Sequence, residues 1–125
     1  METTDQSPTR LEALQEAAAM YRLARQFFSG TDDTETQFNL TVSLATTLSE
    51  QARFLDGVAR TAQFAEASAL EEEANQQIDQ QTSLEAVADF KSSVAYTCVY
   101  RAQIAATREE AARLMARRLR RYRAP

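Results

Sequence analysis

The chain contains no histidine, no tryptophan, a single cysteine (Cys98), two glycines, and no proline between Pro8 and Pro125. Each absence removes a class of structure or chemistry. Without histidine there is no Ser-His-Asp or Cys-His nucleophile, no imidazole ligand for zinc or haem, and no Glu-x-x-His iron site. One cysteine forms no intrachain disulfide, and the opening METTDQSPTR lacks a basic stretch followed by an apolar run, so a cytoplasmic protein without a signal peptide is expected. No window approaches the roughly 18 consecutive apolar residues of a membrane-spanning helix. Gly30 and Gly57 stand alone, so no glycine-rich loop is present to cradle a phosphate.

What is present reads as helix. At 125 residues, 44% hydrophobic and 26% charged, the composition is that of one ordinary globular domain. Ser7 followed by Pro8 is a helix start and Gly30 a stop, which brackets a first helix at 8–29. Leu11, Leu14, Ala18, Tyr21 and Phe28 recur on it in steps of three and four, with Ala17, Met20, Ala24 and Phe27 as a second stripe beside them. A face that wide is expected to pack against more than one helix. The polar run TDDTET (31–36) caps a second helix, and Thr82 with Glu85 forms a capping box for a last helix that runs to Arg123. Two segments are ambiguous. Phe38, Leu40, Val42 and Leu44 alternate as in a strand, and VAYTCVY (94–100) is rich in β-branched and aromatic residues. Helix is preferred for both, because Ala, Glu, Gln and Arg runs flank them and hairpin turn residues are missing. Cys98, among apolar neighbours, reads as a small buried thiol. Val87, Phe90, Val94, Cys98, Ala105, Ala112, Met115, Leu119 and Tyr122 read as one side of the last helix.

The expected fold is all-α, an antiparallel bundle, and Gly57 decides how many helices it has. If Asp56 and Gly57 form a connection there are four, at 8–29, 34–55, 58–80 and 83–123. If Gly57 is tolerated inside a helix at a cost of about 1 kcal/mol there are three long ones, and this is the preferred reading. Residues 1–7 are expected to be a flexible start and 8–123 a single helical domain. With three helices, the hairpin formed by residues 58–106 leaves Val58, Phe64, Leu70, Val94 and Tyr96 partly uncovered. Those residues are the candidate oligomer interface, and a second copy, giving a homodimer that completes the bundle, is the economical partner.

Charge is unevenly placed. The net charge is −4, yet Arg108, Arg113, Arg117, Arg118, Arg120, Arg121 and Arg123 face only Glu109 and Glu110 in the stretch 108–123. As a helix this end sets Met115, Leu119 and Tyr122 on one side and Arg113, Arg117, Arg120 and Arg121 on another, the latter being the candidate contact for an anion or nucleic acid. The simpler account is that cations suit a helix C-terminus and that Arg113 pairs with Glu109, with Glu50, Glu12 and Glu16 nearby in an antiparallel layout. Glu71, Glu72 and Glu73, followed by Asp79, Glu85 and Asp89, invite comparison with helical nucleotide pyrophosphohydrolases that hold magnesium through paired glutamates and a later Glu-x-x-Asp. Here Glu85 and Asp89 are four apart rather than three, so a solvated helix face is preferred and no cofactor is expected. The leading expectation is a non-enzymatic helical interaction or assembly subunit. A nucleic-acid-associated subunit is the alternative, and a carboxylate-magnesium hydrolase a weaker one.

Overall fold

The computed structural model describes residues 7–123, with the side chains of 9–110, Ala112, Arg113, Met115 and Ala116. Four helices run in the order α1 (Ser7–Phe28), α2 (Thr34–Ala52), α3 (Gly57–Gln77) and α4 (Leu84–Arg123), with no strand among the described residues. The expected flexible start lies outside them except for Ser7, which already belongs to α1. The chain falls into two compact units, one through Lys91 and one from Ser92 onward. The second unit consists of the remainder of α4.

In the first unit α2 packs against both α1 and α3. The alternation at Phe38, Leu40, Val42 and Leu44 does not make a strand, because the buried set on α2 is Phe38, Thr41, Leu44, Ala45, Leu48 and Ala52, spaced by threes and fours. Ser49 and Gln51 are buried as well, so the sheltered face spans the two sides needed to receive two neighbours. Thr41 and Thr47 fit the helix by donating their hydroxyls to the carbonyls of Gln37 and Ser43, at 2.9 and 2.7 Å. The central cluster joins Ala18 of α1, Leu44, Ala45 and Leu48 of α2, and Ala67 and Leu70 of α3, with Tyr21 packed against it. Phe90, in the second turn of α4, meets Phe38 edge-on with ring centres 5.6 Å apart. Lys91 donates to Asn75 at 3.0 Å.

The preferred long helix through Gly57 is not formed. Successive N–H groups of Arg53, Phe54 and Leu55 bond to carbonyls three residues back, Asp56 is extended, and Gly57 takes φ +55°. That left-handed conformation is what glycine supplies cheaply, so here it redirects the chain after the end of α2 at Ala52 and opens α3. The break has a second tie, since the Arg60 guanidinium donates to the Ala52 carbonyl at 3.1 Å. At the other end of α2 the Gln37 amide donates to the carbonyls of Phe28 and Thr31, both at 2.8 Å. Side chains near the start of one helix thus add a second donor to carbonyls at the end of the preceding one, where turn N–H groups already bond Phe28 and Ala52.

Other expectations shift in detail. The cap of α4 is Ser83, whose hydroxyl accepts from the Ala86 N–H at 3.1 Å, rather than Thr82, which is engaged with Asp79. Asp33 caps α2, accepting from the Thr36 N–H at 3.0 Å and the Thr36 hydroxyl at 2.7 Å. Leu70, expected to be uncovered, is only 7% exposed because it closes the central cluster. Cys98, expected to be buried, is exposed: at 100° per residue it points away from its buried neighbour Thr97, and apolar neighbours in sequence are not neighbours in space. The proposed stripe along α4 loses its shelter beyond Val94, with Ala105, Ala112 and Met115 exposed. Its frequent seven-residue steps drift by about 20° per step around a straight helix.

Two outcomes test this account. Gly57→Ala meets no steric obstacle but must hold a left-handed backbone, so it should destabilise by about 1 kcal/mol in urea denaturation without loss of helical signal. An unchanged midpoint would mean that residues 53–57 join a continuous helix in solution. The second concerns Asp33. The Thr36 N–H, then its hydroxyl, bond the ionised carboxyl and hold it below the ordinary carboxylate value. The contribution of this cap is therefore complete above the ordinary value and is lost as pH falls through the lowered one. Asp33→Asn should keep most neutral stability and flatten this part of the acid limb, whereas Asp33→Ala should lower the melting temperature at neutral pH. Circular dichroism melts between about pH 2 and pH 7 measure both, and identical acid limbs would refute the assignment.

Candidate interaction surface

The side of α1 turned to α2 is built from Leu14, Ala18, Tyr21, Ala24 and Phe28, all buried or half-buried. Its far side is different. Met20 is 64% exposed, Leu23 64% and Phe27 77%, three large apolar side chains at i, i+3 and i+7. That spacing sets them in one line along the helix. Sequence periodicity picks out Met20 and Phe27 as a second stripe but assigns it a packing partner within the chain. The two members nearer the core, Ala17 and Ala24, are half-buried, while the outer ones face solvent. Leu23 completes the line and was missed, although it lies three residues after Met20 and four before Phe27.

The reason for the bare face is the way α1 is held. It packs on α2 and meets α3 through two ion pairs, Arg22 with Glu66 at 2.8 Å and Arg25 with Glu73. Both pairs advance in the same direction along the two helices, so α1 and α3 run parallel with α2 antiparallel between them. Beneath the pairs lie two recesses of about 210 and 420 Å³, floored by Thr41 and Leu44. Gln26, Ser29, Gln37 and Gln77 complete their walls. Most polar groups there are committed: Gln37 ties α1 to α2, Thr41 bonds its own helix, and the Gln77 amide nitrogen donates to Glu73 at 3.3 Å, while the Gln77 Oε1 is buried without a hydrogen-bond partner among the described residues.

The residues singled out from sequence scatter. Val58 and Tyr96 are exposed, Phe64 and Val94 half-buried, and Leu70 is in the core, so the five do not form one uncovered patch. Of the arginines, Arg113 is exposed, and the side chains of Arg117, Arg120 and Arg121 lie outside the described residues. The expected partners are otherwise engaged or free: Glu50 pairs with Arg53 at 3.3 Å, while Glu12 and Glu16 are exposed without an ion pair among the described residues. Of the acidic series, Glu73 is bound to Arg25, and Asp79 accepts from the Gln81 N–H at 2.8 Å, which holds its carboxyl below the ordinary value. No three acidic or cysteine side chains converge as a metal site among the described residues. No helix among them is long and apolar enough to cross a membrane.

The ion pairs between α1 and α3 are partly solvated, so they should orient α1 more than they stabilise it. Double-mutant cycles on Arg22 with Glu66 and on Arg25 with Glu73, read by urea denaturation, should each give a coupling below about 1 kcal/mol that shrinks at high salt. A coupling several times larger would make these pairs, not the alanine contacts, the main tie of α1. Compared with protein-family models, curated proteins and solved structures, the chain matches none.

Proposed function

We propose that this protein is a cytoplasmic, non-enzymatic helical interaction subunit that binds a partner through the outward face of α1. The line of Met20, Leu23 and Phe27 carries the reading. Apolar side chains of this size, aligned on a solvent-facing helix, are the usual anchor set for a helix-to-helix contact. Small flanking residues support it, since Ala13 and Ala19 beside the line let a second backbone approach closely. The lack of histidine agrees with a binding rather than a catalytic role. A free, exposed Cys98 thiol agrees with a reducing compartment.

The test is recovery of bound proteins from the native source with wild type and with Leu23→Glu combined with Phe27→Glu. Both positions face solvent, so the variant should keep its helical content and melting temperature while losing every protein that wild type retains, further copies of itself included. Equal recovery by the two would overturn the reading.

A further inference from the structure

We propose that the outward face of α1 receives the arginine-rich end of α4 from a second copy of the chain. The proposal rests on the interaction reading above and names its partner. On α1, Glu16, Met20 and Leu23 follow each other by steps of four and three, with Phe27 four beyond. On α4, Arg108, Ala112 and Met115 follow the same steps, and all three are exposed, Met115 to 57%. Four-three spacing is that of a seam along which two helices wind around each other. Laid parallel and in step, the two lines bring Glu16 to Arg108, Met20 to Ala112 and Leu23 to Met115. Opposite charges meet, a large side chain faces a small one, and two large apolar side chains cover each other. The antiparallel alternative in the same seam places Arg108 against Phe27 and sets Leu119, not an arginine, directly opposite Glu16.

Charge over the whole chain favours the same occupant. Seven arginines and two glutamates in 108–123 give that end +5, so with a total of −4 the remainder carries −9. Neither Glu16 nor Arg108 forms an ion pair among the described residues, and both are exposed, so each is available. A second copy supplies the counter-charge that each surface lacks, and long-range attraction between the acidic body and the basic end speeds their encounter.

Charge exchange on the full chain decides the matter. Sedimentation or light scattering over a range of concentrations should show self-association by wild type. Glu16→Arg alone and Arg108→Glu alone should each weaken it by about tenfold or more, because each places like charges face to face. Glu16→Arg combined with Arg108→Glu should restore it, an outcome that a merely structural role for either residue does not produce. Unchanged circular dichroism checks folding, and Glu16→Gln offers a milder variant. A wild type that is monomeric throughout overturns the proposal, and the interaction reading then stands or falls on other proteins recovered through α1. Association lost on Leu23→Glu with Phe27→Glu but indifferent to the exchanges keeps the α1 face and removes α4 as its occupant. A labelled DNA duplex is added as a further arm. If Arg108→Glu abolishes salt-sensitive duplex binding while association is untouched, the arginine end contacts phosphate and the proposal fails.

Discussion

The first unit depends on one face of one helix. Leu44, Ala45 and Leu48 of α2 are essentially without solvent contact, and they cluster with Ala18 from α1 and with Ala67 and Leu70 from α3. Alanine lets helices lie close, so dispersion contacts are dense. It also removes little apolar area from water, and at about 25 cal/mol per Å² the three alanines of the cluster contribute far less than its three leucines. Position is therefore reinforced by polar ties at the ends of α2, through Gln37 at one and Arg60 at the other. Between α2 and α3 the Gln51 amide donates to Gln63 at 3.0 Å, which orients the two helices as well as joining them.

A layer built this way has an inside and an outside rather than a centre. The middle helix is covered on two sides, but an outer helix is covered on one, and whatever apolar residues its other side carries stay in water. α1 carries three large ones there. Their placement, opposite the contact with α2, means that substitution at Met20, Leu23 or Phe27 leaves the alanine contacts untouched. The packing contacts and the exposed apolar line thus lie on different faces of the same helix.

Helix content was legible because its local signals agree: Asp33 as a cap, few prolines and glycines, and three-four spacing that outweighs the alternation at Phe38 to Leu44. Gly57 was misread because a glycine inside a helix and a glycine between helices look alike in sequence. The difference is the sign of φ, which is set by whether the chain must turn back to cover α2. Leu70 and Cys98 were misplaced for related reasons. Periodicity states which residues share a face, but not which face another helix will cover. The outward line on α1 shows the same limit: two of its three members were grouped correctly and given a covering helix that the fold does not provide.

Cys98 has a practical consequence of its own. As the sole thiol in the chain, and exposed on α4, it offers one attachment point for a fluorophore or spin label without any substitution, so a signal from that label reports on α4 alone. The same chemistry misleads if it is ignored. In air, two such thiols on separate chains oxidise to a bond that a size measurement cannot tell from non-covalent pairing. A preparation kept without reductant would then count covalent pairs as assembly, whereas one whose thiol is alkylated beforehand would count only chains held together by their surfaces.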